Sequence, residues 1–284
     1  MAPPASACAG AAVHRFVDPQ RAAYGPPVET SGTGTGPIGA QAAADRQHED
    51  EIRVERWGEV PYAEALDRQL ALHACRVAGH APDTLVLVAH PPTFTLGRHA
   101  PEADIVLDAP ALARRGIAVA RSDRGGRATY HGPGQVVLYP IVSIDELGLG
   151  VKDWVCLLES ALIDTLADYG IAGERRPGTA GIWTKAGSES GPAAKIASLG
   201  LRISRGVSYH GVALNTGLDA SVFDCIVTCG VAGERVTTIA AERAASVSDE
   251  DAAARLAGHV AARLRDARQS RAGSCATSAT KRRP

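Results

Sequence analysis

The spacing of apolar positions changes along the chain, and the changes mark its elements. EIRVERWG, running to Gly58, reads as a strand, and folded structure is expected from near Ile52. PYAEALDRQLALHACRVAG reads as a helix, with Pro61 suited to its first turn and Leu66, Leu70, His73 and Val77 on one face. DTLVLVAH, GIAVARSD and QVVLYPIVSI are further strands, the last leaving directly from a glycine-rich loop. VKDWVCLLESALIDTLADYG carries Val151, Trp154, Leu158, Leu162 and Leu166 at helical spacing, and Gly170 suits its C-terminal end. TAGIWT and AAKIASLGLRIS predict two strands joined by the polar turn KAGSESGP, and VSYHGVALN continues as a strand. SVSDEDAAARLAGHVAARLRDA opens with Ser248 and Asp251 in a capping-box pattern before a last helix. Strands cluster and helices flank them without strict βαβ alternation, which predicts an α+β fold.

Before Ile52 the pattern disappears. Residues 1–48 are rich in Ala, Pro, Gly, Ser and Thr and hold too little apolar surface to order themselves, so a disordered extension is expected. Their formal GxGxxG match, Gly34 to Gly39, has no strand before it and a proline inside it, which argues against a nucleotide site. One domain is expected over residues 49–269, then a disordered basic tail over 270–284. The first residues lack the basic and leucine-rich regions of a signal peptide, although Cys8 follows small residues as a lipoprotein cysteine would. No run approaches the length of a membrane-spanning helix. A net charge of −1 gives no electrostatic basis for binding nucleic acid or an anionic membrane. Six cysteines scattered through 284 residues suit a reducing, cytoplasmic setting.

Three places carry candidate chemistry. RGGRATYHGPGQ (Arg124 to Gln135) has four glycines between two strand-like runs. Glycines let a ligand approach bare backbone N–H groups, and Arg124 and His131 add polar contacts; a simple inter-strand turn would need fewer glycines. In AAKIASLGLRIS, strand alternation puts Lys195 on the apolar side with Ala193, Ala197, Leu199 and Leu201. The chain has only four lysines against 26 arginines. A partly buried ammonium must lose its proton, hold an anion or snorkel to solvent. In DCIVTCGVAGERVTTI, Cys225 and Cys229 lack the second Cys or His pair that zinc would want, and a disulfide is disfavoured in a reducing compartment. Cys225 reads as a plain buried cysteine. Gly230 after Cys229 suits an exposed turn, where a nucleophile could use nearby N–H groups, and Lys195 is the natural cation to ionise its thiol.

RGGRATYHGPGQVVLYPI, KIASLGLRISRGVSYHGVALN and VFDCIVTCGVAGERVTTI, with PPTFTLGRH upstream, closely resemble the lipoyl(octanoyl) transferases over roughly residues 52–265. The resemblance implies the α+β fold of the biotin and lipoate protein ligase catalytic domain, with a mixed or antiparallel sheet. It implies an acyltransferase that moves an octanoyl or lipoyl group from acyl carrier protein, through a cysteine thioester, to a lysine of its targets. By position the catalytic pair is Cys229 and Lys195. The implied substrate-binding residues are Arg124, Gly125, Gly126, Arg127, Ala128, Thr129, Tyr130 and His131, then Ser198, Leu199 and Gly200, then Gly211, Val212 and Ala213. The implied partners are octanoyl-acyl carrier protein as donor, and the lipoyl domains of 2-oxoacid dehydrogenase complexes and the glycine cleavage H protein as acceptors. No metal or cofactor is implied. One departure is Thr228, where the family usually has proline. The alternative on the same fold is an ATP-dependent lipoate or biotin ligase, which needs no nucleophilic cysteine.

Overall fold

The computed structural model describes residues 52–185, 192–227 and 234–280. Residues 1–48, most of the KAGSESGP turn, and Thr228 and Cys229 fall outside that range. In chain order the strands are β1 (Ile52–Glu59), β2 (Asp83–Ala89), β3 (Thr93–Leu96), β4 (Ala118–Arg121), β5 (Ala128–His131), β6 (Gln135–Ile141), β7 (Gly173–Arg176), β8 (Thr179–Thr184), β9 (Lys195–Ser204) and β10 (Val207–Asn215). The helices are α1 (Tyr62–Val77), α2 (Ala109–Arg114), α3 (Ile144–Leu147), α4 (Val151–Ala167), α5 (Ile239–Arg243) and α6 (Asp249–Thr280).

Seven strands form one sheet in the order β1-β2-β6-β10-β9-β8-β7, and β4-β3-β5 form a second, smaller one. Among the described strands, β1–β2 and β3–β4 pair in parallel. The first of these needs a crossover, which α1 supplies. The remaining pairings are antiparallel, so the sheet is mixed, within the α+β class that the element order predicts.

The period-2 pattern of the central strands sorts their side chains between two layers. Leu85, Leu87, Val136, Leu138, Val212 and Leu214 pack with Trp154, Leu158 and Leu162 of α4 and Leu256, Val260 and Leu264 of α6. Their neighbours Val86, Val88, Val137, Tyr139 and Ala213 pack with Ala65 of α1. Val151, expected on the buried stripe of α4, is exposed at the helix's first position. A third cluster, built from Phe94, Leu96, Tyr130, Phe223 and Cys225, joins the small sheet to a 3-10 turn, Ala220–Cys225.

Helix α1 differs from its apolar pattern. Its buried residues are Tyr62, Ala65, Gln69, His73 and Arg76, while Leu66, Leu70 and Val77 are only partly covered. The reason is polar pairing. The Gln69 Oε1 accepts the His210 N–H at 2.9 Å, and Arg76 Nε donates to Asp83 Oδ1 at 2.8 Å, so these side chains bury with partners. Helix α6 runs past the end its pattern predicts, into the region read as tail. Arg268 reaches Asp83 Oδ2 at 2.6 Å and Arg271 donates to the Asp145 carbonyl at 2.8 Å, contacts that hold the added turns against the sheet.

Candidate active site

β9, β10, β6, α1 and the glycine-rich loop enclose a cleft of about 720 Å³, its open mouth included. Lys195 opens β9 on its wall and is 5% exposed. A bulge sets its direction. The register runs Gly181↔Ser198 and Ile182↔Ala197, then jumps to Trp183↔Lys195, which leaves Ile196 as the extra residue. Ile196 and Ala197 both join the main core, while Lys195 and Ser198 line the cleft. Plain alternation placed Lys195 with Ala197 on the apolar side; the bulge turns it to the other face.

The ammonium is held from two directions. Its Nζ lies 4.8 Å above the Trp183 ring and 3.6 Å from Glu234 Oε2. Trp183 Nε1 donates to the other oxygen of Glu234 at 3.1 Å. A π face and a fixed carboxylate thus offset the cost of burying the charge. The Lys195 N–H bonds the Arg235 carbonyl at 2.7 Å, and the Thr237 N–H bonds the Lys195 carbonyl at 2.9 Å. The segment that follows residues 228–233 is therefore laced to the start of β9. Cys229 and its distance to Lys195 lie outside the described residues.

The glycine-rich loop is anchored by Arg124, whose guanidinium donates to the Thr95 carbonyl and hydroxyl at 2.9 and 2.8 Å. Gly125 N–H bonds the Leu201 carbonyl at 2.9 Å, laying the loop on β9. A Cβ on Gly200 would stand 3.0 Å from the Gly125 carbonyl and 3.1 Å from Arg124, so the approach depends on glycine. His131 is buried and stacks on Tyr62, centroids 5.7 Å apart. Its Nδ1–H donates to Gln135 Oε1 at 2.8 Å, because the Gln135 amide nitrogen already donates to Tyr130 and Asn215. Burial, then the nearby His90 and Arg124, push its pKa well below the usual value, so it is neutral with Nε2 as a bare acceptor.

His210 lies on the adjacent strand with φ 56, a left-handed conformation unusual for a non-glycine. Its Nε2 meets Asp123 Oδ1 at 2.7 Å, and Tyr209 donates to Asp123 Oδ2 at 2.5 Å. Burial lowers the His210 pKa more than Asp123 raises it.

All the substrate-binding positions named from sequence line the cleft except Gly125 and Tyr130. Tyr130 turns into the third core, edge-on to Phe94 and Phe223, and Gly125 serves by its backbone contact to β9. Tyr62, Tyr139, His210, Asn215 and Phe223 line the cleft without having been singled out. Tyr62 and Tyr139 sit in elements that read as ordinary helix and strand, and their role comes only from the way α1 crosses β6 and β10. Cys225 is buried and free, 3.2 Å from Arg115 Nη1, as its reading required. Among the described residues no cluster of metal-ligating side chains occurs, and no helix is long and apolar enough to cross a membrane.

Residues 61–261 match the family described as the lipoyl protein ligase A/B catalytic domain. A Chloroflexus aurantiacus protein named octanoyltransferase is 47% identical over 191 residues, covering 66% of this chain and 83% of that protein. A Roseiflexus octanoyltransferase is 43% identical over 206 residues, covering 72% and 84%. Among solved structures, the bi-partite lipoate protein ligase of Thermoplasma acidophilum aligns with a TM-score of 0.58 at 18% identity, covering 75% of this chain and 84% of that one. Lipoate-protein ligase A bound with ATP aligns equally well, with a TM-score of 0.58, 18% identity and coverage of 75% and 85%. These structures share the fold.

Proposed function

The chain belongs to the lipoyl(octanoyl) transferases, acyltransferases of protein lipoylation, and from that premise we propose that it moves an octanoyl group from acyl carrier protein to a lysine of lipoyl domains and the glycine cleavage H protein, in the cytoplasm, through a thioester on Cys229. The observation that carries the reading is the buried Lys195 ammonium, fixed between Trp183 and Glu234, with its backbone N–H bonded to the carbonyl of Arg235, six positions after Cys229 in the sequence.

In this mechanism the Lys195 charge favours the Cys229 thiolate, which attacks the carrier thioester carbonyl. Electrons collapse onto the carrier sulfur, which leaves as a thiol after taking a proton. The acceptor lysine then attacks the new thioester as a free amine, loses a proton and expels the Cys229 thiolate, leaving an amide. In this reading Lys195 shuttles these protons. The acyl donor is already activated, so no nucleotide is consumed. The apolar middle of the cleft, Ala128, Val137, Val212, Ala213 and Phe223, suits the methylenes. Burying six or seven of them contributes about 5 kcal/mol.

The test is incubation with octanoyl-acyl carrier protein, without ATP or Mg²⁺, followed by intact-mass analysis and peptide mapping. A single octanoyl adduct on Cys229, absent from Cys229→Ser, is expected. In Lys195→Ala the pH midpoint for alkylation of Cys229 should rise. An adduct that survives Cys229→Ser, or transfer that depends on ATP, would overturn the proposal in favour of another nucleophile or a ligase.

A further inference from the structure

Lys195, Trp183 and Glu234 form a closed triangle. The bulge pairs Trp183 with Lys195 across β8 and β9, and a parallel bridge pairs Lys195 with Val236. Val236 lines the cleft; Glu234 stands two positions before it, and its side chain reaches back to Lys195. Each corner touches the other two. The ammonium lies over the indole ring, the indole N–H donates to one carboxylate oxygen, and the second oxygen faces the ammonium. The ring is buried and the Glu234 side chain is 11% exposed, so the carboxylate is held largely out of water, where its charge acts strongly on its neighbours. A base oriented by a third group is the usual arrangement behind an activated nucleophile.

The other charges nearby have other engagements. Among the described residues that line the cleft, none is a carboxylate. Arg124 donates to Thr95, Arg127 pairs with Asp104, His131 is neutral and His210 faces Asp123. Arg176 of β7 stands 5.0 Å from the Trp183 ring, and the Arg235 side chain donates to the Pro192 carbonyl. Glu159 of α4 reaches β8, but its two oxygens take the Gly181 N–H at 3.2 Å and Arg175 Nε at 3.0 Å. Among the described residues, Glu234 is therefore the carboxylate that meets the Lys195 ammonium.

We infer that Glu234 is a positioning residue for acyl transfer: acting through Lys195, it keeps the ammonium charged and in place, and so sets the upper pH limit of the reaction. This rests on the acyl-transfer reading and deepens it. In that cycle Lys195 gives a proton to the departing carrier sulfur and takes one back from the attacking acceptor amine. Between those steps Cys229 carries the acyl group, and its negative charge is gone. Glu234 is still opposite Lys195, so it favours the proton's return as the amide forms. No bond to Glu234 is made or broken, and the Trp183 N–H holds the carboxylate in position.

The test is the pH dependence of kcat/KM for octanoyl-acyl carrier protein in wild type and Glu234→Gln. Glutamine keeps an oxygen for the Trp183 N–H and removes the charge. Losing a negative charge makes neighbouring protons easier to lose, so the alkaline limb should move to lower pH by about one unit or more. The acid limb, set by the Cys229 thiol, should move the same way or stay. An alkaline limb that stays in place or moves up overturns the inference. So does a lower rate at every pH with both limbs unmoved, which would mean that Glu234 only supports the segment. Glu234→Ala, which gives up both contacts, should move the limb at least as far, and it decides if the glutamine variant does not fold. The octanoyl adduct on Cys229 tests the acyl-transfer reading separately: a variant that forms the adduct with unmoved limbs sinks the role of Glu234 alone.

Discussion

Burial alone would raise the Asp123 carboxyl, yet hydrogen bonds from His210 and Tyr209, with the Arg202 charge, hold it down at about 2. Its folded pKa therefore lies below its unfolded one, near 3.9. The ionised form stabilises the fold fully above pH 4, and that contribution is lost as pH falls through the folded value. The side chain is about a third exposed, which tempers the figure to on the order of 2 kcal/mol. Asp123→Asn should be less stable than wild type by about 1–2 kcal/mol at pH 7, measured by urea unfolding. The gap should narrow at pH 3, where the wild-type carboxyl begins to protonate. A gap independent of pH would mean that shape rather than charge matters at this position. No pattern in the chain points to this group: Asp123 stands beside a conspicuous loop, and its partners arrive from residues 202, 209 and 210.

At the scale of elements, strands and helices were legible where periodicity decides and opaque where a single residue breaks it. The hairpin of β8 and β9, the α4 stripe and the Ser248 cap, whose hydroxyl accepts the Asp251 N–H at 3.3 Å, follow from pattern alone. The bulge at Ile196 does not, because one extra residue in a ladder leaves no compositional trace, and it alone decides that Lys195 faces the cleft. The α1 face departs from its apolar pattern for a related reason: Gln69 and Arg76 look like surface residues until their partners are known. Two glycines separate close packing from mere presence. Gly211 sits where β10 meets β6 with no room for a methyl group, and Gly211→Ala should destabilise by about 3 kcal/mol or fail to fold. Gly258 lies inside α6 with open space around it, and Gly258→Ala should stabilise by about 0.5–1 kcal/mol. Chemical denaturation of both variants checks the contrast; equal effects would show that the β10–β6 contact relaxes.

At the scale of the whole molecule, Asp83 ties together pieces that the sheet holds apart. It is 2% exposed at the start of β2 and accepts from Arg76 of α1 at 2.8 Å, from Arg268 of α6 at 2.6 Å and from the Ser143 N–H at 2.9 Å. Helices on opposite faces of the sheet thus share one carboxylate. This gives residues 268 and 271 a part in the fold, which the polar, apolar-poor composition of that end could not show. Removing residues 1–48 should leave octanoyl transfer and unfolding free energy within about 0.5 kcal/mol of the full chain. Ending the chain at Ala267 deletes Arg268 and Arg271 together, leaving Asp83 one charged donor short and the Asp145 carbonyl without its guanidinium. A loss of about 1–3 kcal/mol is expected, since hydrogen bonds to charged groups are among the stronger ones. Because α6 also covers the core beneath β6, the shortened chain should expose the sheet to hydrogen exchange first along β2 and β6. An unchanged stability after the C-terminal cut would show that Arg76 alone satisfies Asp83, whereas a large loss after the N-terminal cut would assign residues 1–48 a part in the fold.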